Sequence, residues 1–467
     1  MRTAINSISS RVRETAVGDA GGISIIGNSV LISTNTNLDA GTRAQGDGKA
    51  ISIKATDNIT LDDDALLIAQ VGPDATGNAG TITLSANTIE IKGDSTIIGN
   101  TRGQGNASLV SIIAKDSVII TEETSISSRV RETAVGDAGG ISITGNSILI
   151  NGESRLDAGT VGQGNGQDIT INAVKNITLD DGVSIKAEVG TDAAGNAGNI
   201  NLTADSLVIT DDARLTVRSN GQGNPGNIEI AANTIELNKG EISAATAFGN
   251  FGNINLEVSE NITLRNQSLI SAQALNNANG GNIVIDTSFI VAFPNQNNDI
   301  IADAVGGNGG NININAEALF GIQERPLNDL SNDINVSSEF GLDGTVSIFT
   351  PNTNNLQTEI NLPNSIIESE QTVAQACQSD RASGIASGLN IKGKGGVPFI
   401  PTNPFNSEII LVDEPITARD IKPIQTSMGN IYPARGIVKT EDGKIILTAY
   451  ATDNLNSRTP HMSANCS

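Results

Sequence analysis

The stretch GNIEIAANTIELNKGEISAATAFGNF (Gly226–Phe251) holds three short apolar segments, NIEI, TIEL and EISA, set apart by small polar residues. Each segment alternates apolar and polar side chains, the period-2 signature of a half-buried strand. The residues between and around such segments are rich in Asn, Asp, Gly and Ser, which tolerate left-handed backbone or bond their own main chain. No comparable stretch shows a helical period, so each unit reads as three strands and three turns.

The same unit recurs along the chain. Its first aliphatic falls at Ile23, Ile51, Ile82, Val110, Ile141, Ile169, Ile200, Ile228, Ile254, Ile283 and Ile312, with gaps of 28, 31, 28, 31, 28, 31, 28, 26, 29 and 29 residues. Two 28/31 pairs make a block of 118 residues. That block accounts for the identical SISSRVRETAVGDAGGISI at Ser7–Ile25 and Ser125–Ile143.

A unit of about 29 residues buries too few side chains to fold alone and must lean on its neighbours, which is the logic of a solenoid. The expected fold is therefore all-β, a three-faced parallel β-helix. The eleven aliphatics above would form one core ladder, with Asn stacked on Asn at GN corners. Eleven coils stacked about 4.8 Å apart would make a rod about 50 Å long. An α-solenoid lacks its helical pattern here, and a β-propeller its longer blades with aromatic signatures. The array is expected over 1–350, with irregular last coils through SFIVAFPNQNNDIIADA and EFGLDGTVSIF. A linker or cap follows at 351–376. A tail domain fills 377–467, with a hairpin over 436–449 turning at Asp442-Gly443.

Composition agrees with a narrow aliphatic core. The 467 residues include 50 Gly, two Tyr and no Trp, and all nine Phe lie at or after Phe248. The net charge is −23, yet from Cys377 onward nine Lys/Arg nearly balance eight Asp/Glu, so the acidity sits in the repeats. Such a surface disfavours nucleic acid and favours solubility. It admits at most a weak Ca²⁺ contact, and no other cofactor is expected. The opening MRTAINSISS lacks the apolar core of a signal peptide, and Met1 falls partway round a coil, so the chain reads as a fragment or truncated product.

Chemistry-bearing residues are few. Cys377 and Cys466 lie in the tail outside any CxxC pair. They are candidates for a disulfide, the alternative being two free thiols. The single histidine, His461, sits beside Pro460 near the terminus and reads as an incidental surface residue. Carboxylates cluster in LDDDALL (Leu61–Leu67), LDDGVSI (Leu179–Ile185) and TDDARL (Thr210–Leu215), but at equivalent points of different units. Repetition suits a turn, whereas catalysis needs one singular arrangement, so an enzyme is not expected. In SSRVRETAV, Arg11 and Arg13 share a face, as do Arg129 and Arg131. Their expected partners are Glu14 and Glu132, with a glycan- or anion-binding stripe as the alternative.

The tail adds a resemblance. GNGGNINI, FIVAFPNQNNDIIADA, ALFGIQERP, FGLDGTVSI, VAQAC, GKGGVPFIPTNPF, GIVKTEDGKIILTA and the closing Cys466 resemble the C-terminal portion of cyanobacterial filamentous-haemagglutinin-like exoproteins of the two-partner secretion class. With the GN(A)GNIxI repeats, the resemblance covers essentially the whole chain. It implies a right-handed β-helix, export through an outer-membrane β-barrel transporter, and an extracellular or cell-surface role in adhesion or aggregation. Such proteins begin with a signal peptide and a secretion domain, and this sequence shows neither. The expected function is thus a non-enzymatic surface adhesin or spacer meeting a glycan, matrix or cell-surface target. A β-helical polysaccharide-active enzyme and a non-functional remnant of a larger exoprotein are the alternatives.

Overall fold

The computed structural model describes residues 7–247 and 252–351, together with the backbone of two strands, Gly436–Lys439 and Ile445–Thr448. The chain divides into two units, Met1–Thr358 and Glu359–Ser467. The first is an all-β parallel solenoid with coils of about 29 residues and no helix among the described residues. In the second, the two described strands pair antiparallel from Gly436↔Thr448 to Lys439↔Ile445, within the span expected to form a hairpin.

Two parallel sheets run the length of the solenoid. One has 12 strands, from Ile23–Ile32 to Thr345–Phe349, each bonded to its counterpart one coil later. The other has 13 strands, mostly of three residues, beginning with Ser7–Ser9 and Asn37–Asp39. A third face carries only isolated bridges, two per coil over much of its length, such as Val12↔Thr42↔Val71 and Val17↔Gln45↔Thr76.

The eleven aliphatics stack in direct register. Ile23 pairs Ile51, which pairs Ile82, and so on through Val110, Ile141, Ile169, Ile200, Ile228, Ile254 and Ile283 to Ile312. Ile312 then pairs Val346, one rung beyond the expected ladder. A second ladder of Leu and Ile follows the short strands from Leu38 to Ile334. Both ladders are almost wholly removed from solvent. Nothing larger than Ile or Leu is needed to fill the space between faces, which is why the early coils do without aromatics.

The structure corrects one detail of the unit. NIEI and TIEL are not separate strands but one continuous strand, Ile228–Asn238. Its alternation slips in the middle: Ile228, Ile230 and Ala232 face in, Asn233 and Thr234 do not, then Ile235 and Leu237 face in again. Two successive outward residues turn the strand onto a new face without breaking its ladder. The inside of the bend is lined by small side chains in register, Gly27 on Ala55, Ala86 on Ala114, Gly145 on Ala173 and Ala204 on Ala232. Later coils admit a larger side chain at this position, Val258 beside Ala232 and Thr287 beside Val258.

A glycine-Asx pair marks another corner. Gly46, Gly77, Gly105, Gly136, Gly164, Gly195 and Gly223 all have φ between +132° and +152°. At each, a Cβ would fall within 1.9–2.3 Å of the carbonyl oxygen of the preceding glycine in the series. The residue after each glycine donates its N–H to the Asx side chain one coil earlier. The chain runs Asp47 to Asp19, Asn78 to Asp47, Asn106 to Asn78, Asp137 to Asn106, Asn165 to Asp137, Asn196 to Asn165 and Asn224 to Asn196, all at 2.8–3.0 Å. Each coil thus satisfies the backbone of the next, which a lone unit cannot do.

Candidate binding surface

The 28/31 alternation has a structural cause. Of the three extra residues in every second unit, one enters the bend of the long strand, as in Ile51–Leu61 against Ile23–Ile32. The other two enter the bridge-only face. There Val12 to Val17, Val71 to Thr76 and Val130 to Val135 span the same two bridges as the shorter Thr42 to Gln45 and Thr101 to Gln104. The longer turns close on a hydrogen bond from Ala16 to Arg13, Ala75 to Gly72 and Ala134 to Arg131, with Thr15, Asp74 and Thr133 left-handed.

This face is therefore corrugated. Longer turns stand as ridges carrying Glu14, Asp74 and Glu132 near their tips, all exposed. Shorter turns form notches between them, floored by Arg43 and Gln45, then by Arg102 and Gln104. An open depression of about 940 Å³ lies between the first two ridges, reaching from Glu14 and Val17 past Arg43 and Gln45 to Pro73, Asp74 and Arg102.

The arginines fall on two rows of this face. Arg11 and Arg129 precede the bridge residues, and Arg13, Arg43, Arg102 and Arg131 follow them. The expected partners Glu14 and Glu132 are not the ones used. Arg11 Nη1 meets Asp39 Oδ2 at 2.8 Å and Arg129 Nη1 meets Asp157 Oδ2 at 2.7 Å, each acid coming from the next coil. Both acids close a short strand and face the arginine, whereas the two glutamates sit out on ridges. Arg43 reaches the same Asp39 oxygen only at 3.8 Å.

The remaining arginines of the outer row have no ion pair among the described residues. The Nε of Arg131 is shut off from solvent without an acceptor. Burial, then the charges of Arg129 and Arg102, hold its guanidinium below the usual arginine range. Positive charge therefore accumulates here, on a chain whose net charge is −23.

The repeated carboxylates lie elsewhere. Asp63 and Asp64, Asp181, and Asp211 and Asp212 occupy the corner between the long and short strands in left-handed backbone, φ 46–65°. Thr34-Asn35, Glu122-Glu123 and Asn266-Gln267 take the same corner in other coils. Among the described residues no three His, Cys, Asp or Glu side chains converge as metal ligands would. Cys377, Cys466 and His461 lie outside the described residues.

Three acids drawn in from solvent, Glu188, Asp299 and Asp303, had no signal in the sequence, and burial raises Asp303 above the ordinary carboxylate range. Burial raises Glu188 above the ordinary carboxylate range, against the opposing charges of Lys186 and Arg218. Asp299, 8% exposed, is raised to about 6, chiefly by burial. Its Oδ1 accepts the N–H of Asp333, which itself is bound by the Arg325 guanidinium.

No protein-family model, curated protein or solved structure matches the chain. What sequence and structure together establish is a parallel β-solenoid of about 11 turns, with a corrugated, arginine-bearing face along its first coils.

Proposed function

We propose that the chain is a non-enzymatic exoprotein of the filamentous-haemagglutinin-like kind, exported through an outer-membrane β-barrel transporter and used as a rigid spacer or adhesin at the cell surface. The observation that carries this reading is the unbroken register of the core ladder, Ile23 to Val346, beneath an outer surface that repeats from coil to coil. Continuous parallel ladders resist bending because each backbone group is bonded to the coils on both sides. A repeated surface offers the same contact many times over, and weak contacts at fixed spacing sum to avidity.

The polysaccharide-cleaving alternative draws no support from the acids, which recur at equivalent left-handed corners. The test is surface protease shaving of intact producing cells, followed by adhesion of beads coated with the purified chain. Release of solenoid peptides from intact cells and bead capture above an uncoated control are expected. Protection of the chain until lysis, with no bead capture, would overturn the proposal.

A further inference from the structure

The corrugation places an arginine in each of the first two notches, two coils apart. Successive coils are about 4.8 Å apart, so the notch floors Arg43 and Arg102, two rungs apart, lie about 9.6 Å from each other along the axis. Their register is fixed by the backbone: Arg43 N–H donates to Val12, Gly72 to Thr42, Arg102 to Val71 and Arg131 to Thr101, at 2.7–3.0 Å. Gly72, at the base of the ridge between the two notches, takes the arginine's place in the row and lines the same open depression as Arg43 and Arg102.

Gln45 and Gln104 occupy the same bridge row, both exposed and without a side-chain partner among the described residues. Each notch therefore offers a guanidinium beside a free amide. The guanidinium suits a carboxylate or sulfate, and the amide suits a hydroxyl or acetamido group.

We infer that this notched face binds a linear acidic polysaccharide lying along the solenoid axis, with one anionic group per disaccharide seated on Arg43 and Arg102. The disaccharide repeat of an extended β-linked chain is close to the two-coil step, so one sugar unit in two meets a notch. Arg13 and Arg131 flank the pair one rung outside and extend the positive track. The ridge acids Glu14, Asp74 and Glu132 disfavour a densely charged polymer, which would bring anions against the ridges as well as the notches. A polymer with charge only at the notch period avoids that repulsion, and this is why a polysaccharide fits better than a nucleic acid.

This inference deepens the adhesin proposal by naming its ligand class, and it is measured in solution so that the two can fail separately. The probe is a fluorescent hyaluronan octasaccharide, with one carboxylate per disaccharide, titrated with the full chain at low ionic strength. Saturable binding that weakens with salt is expected. R43Q/R102Q should weaken it about tenfold, two exposed charge contacts being lost. R43K/R102K should recover part of the loss, and R214Q/R265Q, remote from the notches, should bind as the wild type.

Absence of saturable binding, or equal loss in R214Q/R265Q, would overturn the inference. So would equal binding of a neutral chitin oligosaccharide, or of single-stranded DNA. Bead adhesion without hyaluronan binding would leave the adhesin proposal standing and remove this one. Binding without surface exposure would do the reverse.

Discussion

The first eight coils and the last three satisfy their polar groups in different ways. In the early coils the Asx corner finds its partner one coil away in an equivalent residue, in a series from Asp19 to Asn224. In the last coils an Asn series continues from Asn253 through Asn282 to Asn311, but singular partners join it. Asn332 donates its amide to the carbonyls of Phe293 and Gly321 and accepts the N–H of Asn298. Asp333 gathers Arg325, Ser331 and the N–H of Asn328. Aromatics appear here too, with Phe289 and Phe320 in tilted contact and Arg265 4.0 Å over the Phe293 ring. Phe340, Leu342 and Phe349 are exposed.

The difference follows from position. A coil inside the array has equivalent neighbours on both sides and can rely on repetition. Toward an end that periodicity stops, and side chains must close the backbone individually.

That contrast can be broken by experiment. Gly164→Ala puts a Cβ within 1.9 Å of the Gly136 carbonyl oxygen at φ +137°. It should cost about 4 kcal/mol or more in chemical unfolding, because the clash is with backbone and the same step recurs on both sides. An effect under half of that would mean the glycine series is not rigid.

Asn332→Ala removes several buried hydrogen bonds at once and should cost about 3 kcal/mol, read in the same unfolding assay. Asp299→Asn should act in the opposite direction. With the native carboxyl at about 6 against about 3.9 unfolded, the folded state holds its proton more tightly. Wild-type stability therefore falls as pH rises from about 4 through 6.

The amide keeps the acceptor for the Asp333 N–H without the buried charge. Asp299→Asn should raise stability by about 2 kcal/mol at neutral pH and leave it unchanged near pH 3. A gain of equal size at both pH values would contradict the burial argument. The smallest effect is expected in the body. Asn106→Ala loses one exposed acceptor, that for the Asp137 N–H, and should cost about 1 kcal/mol. Were it as damaging as Asn332→Ala, the distinction between repeated and singular partners would be lost.

Much of the solenoid was legible because its signal is redundant. Period-2 aliphatics recurring every 28–31 residues fixed the strands, the parallel stacking and the residues of the ladder from Ile23 to Ile312. The Asp-rich corners were legible for the same reason, since Asp in left-handed backbone is a local preference that repeats. The merging of NIEI with TIEL was missed, although the slip from Ala232 to Ile235 is present in the letters. Two polar residues in a row read locally as the end of a strand, whereas in the stacked coil they turn it.

The candidate surface was less legible. SSRVRETAV drew attention to Arg11, Arg13, Arg129 and Arg131, but it also suggested Glu14 and Glu132 as partners because they are near in sequence. The partners Asp39 and Asp157 are each 28 residues from their arginine.

By itself, then, the sequence determined the strand period, the coil length and the identity of the inward side chains. Those follow from local alternation and need no knowledge of the neighbours. Only the tertiary structure decided where the three extra residues of every second unit go, which carboxylate meets which arginine, and which acids are buried. Those depend on groups about one coil apart coming within a few ångströms, and stacking alone brings them together.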